Sequence, residues 1–261
     1  MFYRQALFLF NLSLNIIVVA SECFAQECWV YQKIKTNFTV YGIYCSDSLT
    51  RTAAVGSGIP SSNGMILRTN DGGETWGTLY TGSTYPKDVM FSNTDNGVAV
   101  GFEDDAVSYS HGVILHTTNG GISWSKQIFP YTVNAVSLST SDVGVAVGSG
   151  GLILWTTNGG NTWTEQQSNT IITLYDVYCI SPQSAVAVGE VGRILRTTDA
   201  GATWTNVWNN TGDYFTGVWF TDVSNGRVVG SASLPGGGYN PEDNGWWGNM
   251  DKAKHASILL E

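Results

Sequence analysis

The chain has 261 residues, of which 21 are Asp or Glu and 12 are Lys or Arg, giving a formal charge of −9 and a pI near 4.7. So acidic and weakly charged a chain lacks the basic footprint of a nucleic-acid binder, and no nucleic-acid partner is expected. The length is enough for one domain with a large core.

In chain order, residues 1–25 carry one cation, Arg4, then an apolar run over 6–20, then Cys23-Phe24-Ala25 with small residues where a signal peptidase reads. This pattern predicts a secretory signal over residues 1–25, a retained anchor being the alternative. Glu22 stands where a lipobox needs a small residue, so lipidation of Cys23 is not expected. No later run approaches the roughly 20 apolar residues of a membrane span. The mature chain, 26–261, is therefore expected to be exported without a span, to a periplasmic, extracellular or cell-surface location. It keeps Cys28, Cys45 and Cys179. Cys45 and Cys179 hold matching places in YGIYC and YDVYC of different repeats, too far apart to pair. Either Cys28 pairs with one of them or all are small packing residues.

The dominant feature is a repeat. GMILRTNDGGETW at 64–76 returns as GVILHTTNGGISW at 112–124, GLILWTTNGGNTW at 151–163 and GRILRTTDAGATW at 192–204. The closing tryptophans, Trp76, Trp124, Trp163 and Trp204, are 48, 39 and 41 residues apart, a period of one four-stranded blade per repeat. Between the boxes, each unit has an alternating run such as 134–138, a second run such as GVAVG at 144–148, and the Ile-Leu run. All are short, β-branched and bounded by turn residues, as strands are. No stretch keeps a helical period.

Each unit thus reads as four antiparallel strands, A to D, over about 41–80, 88–128, 134–167, 175–208 and 216–261. A sheet with two apolar faces must be covered on both, so the predicted fold is an all-β propeller, with a β-solenoid as runner-up. Trp29-Val30-Tyr31-Gln32 resembles the D strands after Trp124 and Trp163, and the last unit offers A, B and C only. The strand at about 28–33 is therefore expected either to close a five-blade ring as its last D strand or to belong to an incomplete longer propeller.

Within the box, Asp71, Asn119, Asn158 and Asp199 can accept from backbone N–H groups one or two positions on in an Asx turn. Gly73, Gly121, Gly160 and Gly201 supply positive φ, and each Trp is expected between sheets. Thr-x-Asp-x-Gly-x-Thr-Trp is similar to the Asp-box, or bacterial neuraminidase repeat, and the GVAVG…G-x-ILRTTDGG-x-TW context resembles the propeller family of photosystem II assembly and stability factors. The resemblance covers about 29–230 and implies the propeller fold, a box that is structural rather than catalytic, and a lumenal location in a photosynthetic host.

No catalytic residue and no cofactor or metal is expected. A sialidase would need an arginine triad and an Arg-Ile-Pro motif. Only Arg51, Arg68, Arg193, Arg196 and Arg227 follow the signal, without that motif, and Arg68, Arg193 and Arg196 read as C-strand residues. The function expected is a non-catalytic scaffold binding a protein partner, with a sialidase-like glycoside hydrolase or a glycan-binding propeller as the alternative. If the boxes share one end of the disc, the D–A and B–C loops share the other, where the units vary most. The candidate binding residues there are Tyr85, Lys87, Glu103, Asp104, Asp105, Tyr109, His111, Tyr131, Tyr214, Tyr239, Trp246 and Trp247.

Overall fold

A computed structural model describes residues 16–20, 29–33, 38–45, 52–58, 63–104, 110–209, 213–232 and 256–259. The expected blades are there. The first is β3 (Phe38–Cys45), β4 (Thr52–Gly58), β5 (Gly64–Thr69) and β6 (Gly77–Gly82), and the second is β7 (Tyr85–Phe91), β8 (Gly97–Asp104), β9 (Ser110–Thr117) and β10 (Ser125–Phe129). The third is β11 (Val133–Leu138), β12 (Gly144–Gly148), β13 (Ile153–Thr156) and β14 (Thr164–Glu165). The fourth is β15 (Leu174–Ser181), β16 (Ser184–Gly189), β17 (Arg193–Thr197) and β18 (Thr205–Asn209). The fifth holds three strands, β19 (Asp213–Phe220), β20 (Asn225–Ala232) and β21 (Ala256–Leu259). Every blade is an antiparallel meander, so the architecture is a β-propeller.

The strands alternate, but both faces are buried because blades stack. Ala53, Val55 and Ile66 of the first blade meet Val89, Phe91 and Leu115 of the second. Val98, Val100 and Ile114 meet Val136, Ala146 and Leu154 of the third. Val145, Val147 and Ile153 meet Val177, Ala185 and Leu195 of the fourth, and Val186, Val188 and Ile194 meet Phe215, Val218 and Val228 of the fifth. Each box tryptophan joins the cluster on the side of the preceding blade: Trp124 between the first two, Trp163 between the next two, and Trp204 between the third and fourth. Trp76 packs with Cys45, Ala54 and Leu67 on the face of the first blade that turns away from the second.

The inner A strands pack in succession, β3 on β7, β7 on β11, β11 on β15 and β15 on β19, whereas β19 and β3 lack such packing among the described residues. The described blades thus succeed one another in chain order. The N-terminal strand β2 (Trp29–Lys33) pairs with β1 (Ile16–Ala20), not with β21 as ring closure requires. A hairpin between runs so close in sequence has a small loop-closure cost compared with a bond across the whole chain. β1 lies inside the segment read as a signal. Cys45 and Cys179 are buried in the first and fourth blades, in keeping with their expected separation, and burial pushes the Cys179 thiol up to about 11. Cys28 lies outside the described residues.

Candidate functional site

The box turns and the D–A and B–C loops lie at opposite ends of the blades. At the box end a preceding threonine does work that the sequence did not disclose. Thr117 Oγ1 donates to Asn119 Oδ1 (2.9 Å) and accepts from Gly121 N–H (2.9 Å). Asn119 Oδ1 also accepts the N–H of Ser123 (3.0 Å), four residues on rather than one or two as expected. Thr69, Thr156 and Thr197 repeat the pattern with Asp71, Asn158 and Asp199. Thr69 and Thr75 hydroxyls, followed by the Thr75 N–H, hold the Asp71 carboxyl down to about 2. Asp199 is lowered by the Thr203 hydroxyl and N–H and then by Thr197. Glycine is demanded here: Gly160 has φ 94°, and a Cβ would stand 2.6 Å from Val98 Cγ2.

The box turns of the second, third and fourth blades are also tied to their own A–B turns, by Gly120 N–H to Asp95 O (2.7 Å), Gly159 N–H to Asp142 O (2.8 Å) and Ala200 N–H to Gln183 O (2.9 Å). Arg68 spans two blades there, donating to Thr94 O and Gly120 O (both 3.2 Å) with its guanidinium 5.2 Å from the Phe91 ring. That is the structural C-strand role expected of it. These box groups bond to one another, so the box end is a fastening.

At the other end the D–A and B–C loops meet, as Ser149 N–H to Thr132 O and Glu190 N–H to Thr173 O (both 3.0 Å) show. Here every A strand carries a bulge at one equivalent place. The register skips Tyr41, Lys87, Asn134, Tyr175 and Thr216 in the five blades. A bulge leaves one residue outside the ladder and re-aims its side chain, and repeated on successive inner strands it makes a rim at the mouth of the axis. Tyr41 Oη bonds Ser57 Oγ (3.1 Å) and Tyr175 Oη donates to Glu190 Oε1 (2.7 Å). Burial, then that bond, pushes the Tyr175 phenol up to about 12. Lys87 Nζ donates to Asn134 Oδ1 (2.8 Å), Asn134 Nδ2 donates to Leu174 O (2.8 Å), and the ammonium lies 5.4 Å from the Phe102 centroid. Burial lowers the pKa of Lys87. Just below the rim, Asp88 Oδ2 accepts Val136 N–H (3.0 Å) and Asp176 Oδ2 accepts Val218 N–H (2.9 Å), each stapling the next blade.

Of the residues singled out from sequence, Tyr131 (51% exposed) and Tyr214 (47% exposed) stand free to make contacts. Tyr85 does not: its ring stacks on Phe102 at 5.1 Å. Glu103 is consumed by Lys126 Nζ (2.8 Å), by His111 Nε2 (3.8 Å) and by the Ser83 hydroxyl, and Asp104 accepts from Ser110 Oγ (2.6 Å). Glu103 and Asp104 are thus both paired within the chain. Asp105, Tyr109, Tyr239, Trp246 and Trp247 lie outside the described residues. Not anticipated was a groove of about 510 Å³ between the third and fourth blades, lined by Tyr131, Gly150, Gln167, Asn169, Ile171 and Arg193. Ile171 there is 86% exposed. Among the described residues there is no group of three or more His, Cys, Asp or Glu side chains placed to hold a metal ion, and no helix long and apolar enough to cross a membrane.

Residues 79–246 match the family described as photosynthesis system II assembly factor YCF48. A search of curated proteins finds no match. Among solved structures, the GH74 enzyme of Niastella koreensis aligns at 16% identity and TM-score 0.57 over 76% of this chain and 34% of its own. The GH74 xyloglucanase of Xanthomonas campestris aligns at 10% identity and TM-score 0.58 over 76% and 35%. YCF48 bound to D1 peptide aligns at 15% identity and TM-score 0.45 over 79% and 82%. The chain spans about a third of the length of the GH74 enzymes it matches, and at these identities the likeness is one of fold.

Proposed function

The chain belongs to the family of photosynthesis system II assembly factor YCF48, and we propose that it is an exported, non-catalytic scaffold whose loop end holds a protein partner, in the manner of an assembly factor. The asymmetry of the two ends carries this reading. The box end spends its polar groups on itself, whereas the loop end presents Tyr131 and Ile171 in a groove of about 510 Å³ and an exposed Tyr214 on the fifth blade. Exposed aromatic side chains next to a concave, preformed surface are the usual anchors of protein recognition. Export rests on the leader pattern at 1–25 and gives the scaffold access to partners outside the cytoplasm.

Catalysis has no comparable support. Among the described residues, the loop-end acids Glu103 and Glu190 are held by Lys126 and Tyr175, and the groove is lined by one carboxylate, Glu165, where glycoside hydrolysis uses a pair. The test is retention of a purified partner on immobilised mature protein. Tyr131→Ser with Tyr214→Ser should abolish retention, while Ile122→Ser at the box end should leave it unchanged. Equal retention by the loop-end variant would refute the placement. Turnover of a sialoside or of xyloglucan by the purified chain would refute the non-catalytic assignment, and retention of glycan instead of protein would identify the partner class wrongly chosen.

A further inference from the structure

The rim of bulged residues contains one cation, Lys87, and its surroundings are unusual for a lysine. The side chain is half-buried, and among the described residues no carboxylate forms an ion pair with its Nζ. The recorded partners are Asn134 Oδ1 at 2.8 Å and the Phe102 ring at 5.4 Å. The nearest acid in sequence, Asp88, turns its two oxygens to the N–H groups of Val89 (2.9 Å) and Val136 (3.0 Å). An ammonium offers three donors, so the two recorded contacts leave donor capacity unspent. Removing a charge from water without a counter-charge is costly, and this one is retained in a protein whose formal charge is −9.

Asn134 is held in the orientation that serves it. Its Nδ2 donates to Leu174 O of the next blade, so its Oδ1 faces Lys87 and fixes the ammonium at the mouth between the second and third blades. The bulges at Lys87 and Asn134 are what bring both side chains out of their ladders to this point. Tyr131, 51% exposed on the connection into the third blade, stands in the same loop cluster.

We propose that Lys87, positioned by Asn134, is the seat for a carboxylate of the bound polypeptide, with the ammonium completing its hydrogen bonds to the ligand's oxygens. The proposal rests on the loop end being the binding face and names the chemistry recognised there. A charge-assisted bond from a partly desolvated ammonium is among the stronger single contacts. A carboxylate also answers the missing counter-charge, which a neutral group does not. The acid comes from a side chain or from a chain terminus, and both are tested.

The experiment uses the ¹⁵N-labelled mature chain titrated with N-acetyl-aspartate methylamide, N-acetyl-alanine, and their neutral counterparts N-acetyl-asparagine methylamide and N-acetyl-alanine amide. The side-chain amide signals of Asn134 should shift saturably with at least one acid and with neither neutral probe, and which acid acts identifies the source. Lys87→Met should weaken that binding at least about tenfold, the loss of one charge-assisted bond, with the box-turn amide signals unmoved as the check on folding. Asn134→Asp places a carboxylate against Lys87 from within and, read on the backbone amide of Lys87 because the Asn134 side-chain signals are gone, should abolish the shift that the acid produces there in the unaltered chain, giving a second variant should Lys87→Met misfold. Absence of a shift with both acids, equal shifts with the neutral probes, or undiminished binding in a folded Lys87→Met protein would each overturn the proposal. Partner retention that survives Lys87→Met but not the Tyr131 and Tyr214 substitutions would overturn the carboxylate seat and leave the loop-end reading standing.

Discussion

Trp204 offers the sharpest test of how the blades are held together. It is 4% exposed in the cluster shared by the third and fourth blades, in the company of Trp155, Leu195 and Val147. Truncation to alanine uncovers about 200 Å² of apolar surface, worth about 5 kcal/mol at about 25 cal/mol per Å². Allowing for burial already present in the unfolded chain lowers this to about 3–4 kcal/mol, within the range seen for large aromatic truncations. The indole Nε1 is buried with no partner among the described residues, so the ring is retained for its bulk. Trp204→Phe should therefore cost much less, about 1 kcal/mol, because it also removes an unsatisfied donor. Trp124 and Trp163 are only half-buried, and their truncations should cost less than that of Trp204. Urea unfolding followed by far-UV circular dichroism measures the differences without relying on tryptophan emission. A cost below about 1 kcal/mol for Trp204→Ala, or equal costs for Phe and Ala, would refute the view that inter-blade packing of this ring fastens the two sheets.

Three further outcomes are expected. Ala200 stands where the other boxes have glycine and adopts φ 58°, so Ala200→Gly should relieve left-handed strain of about 1–2 kcal/mol, less the entropy glycine loses, and raise the thermal midpoint. A lower midpoint would show the strain to be absent. The folded-state pKa values of Asp71 and Asp199 are depressed, so their stabilisation is full above the unfolded value near 3.9 and is lost as pH falls from about 4 through about 2. Differential scanning calorimetry across that window should show a flatter decline for Asp71→Asn with Asp199→Asn, the residue the other two boxes use. Asp88→Ala should cost about 2–4 kcal/mol by leaving the N–H groups of Val89 and Val136 unanswered, and Asp88→Asn less, since one acceptor oxygen remains. Chemical denaturation distinguishes the two.

The blades were legible in the sequence because each local signal agreed with the others. Period-2 runs, Gly-bounded turns and the Trp spacing all required the same four-stranded unit, and stacking then followed from two apolar faces per sheet. The box was legible in kind but not in detail. Its Asx residue was evident, whereas the roles of Thr69, Thr117, Thr156 and Thr197 were hidden because a threonine at a strand end needs no special explanation. The site was least legible. Tyr85 and Glu103 look like exposed recognition residues in a linear reading, and only the register shows that Phe102 covers one and Lys126 the other. Asn134, Tyr175 and Glu190 gave little warning, since a bulge is a property of strand pairing and leaves no motif. Aligning the five A strands to one another does bring Tyr41, Lys87, Asn134, Tyr175 and Thr216 into one column, and that variable column, preceded in each unit by an apolar residue, was the available signal.

That column also explains how one scaffold separates stability from recognition. The ladder residues on either side of each bulge carry the fold: Asp88 and Asp176 reach across to Val136 and Val218, and the apolar neighbours fill the inter-blade clusters. The bulged residue has no cross-strand partner in its own ladder, and where it reaches the next blade it does so by its side chain alone, as Lys87 does to Asn134 and Asn134 to Leu174 O. It is accordingly a tyrosine, a lysine, an asparagine, a tyrosine and a threonine in the five blades, while the residue before it, Val40, Pro86, Val133, Leu174 or Phe215, is apolar in each. Exchanging Lys87 for Met should therefore alter binding far more than folding, whereas exchanging its neighbour Asp88 for Ala should do the reverse. Thermal midpoints and partner retention measured side by side on the two variants test that division directly. If both variants lost stability and binding together, the rim and the ladder would be one cooperative unit and the separation argued from the register would be wrong.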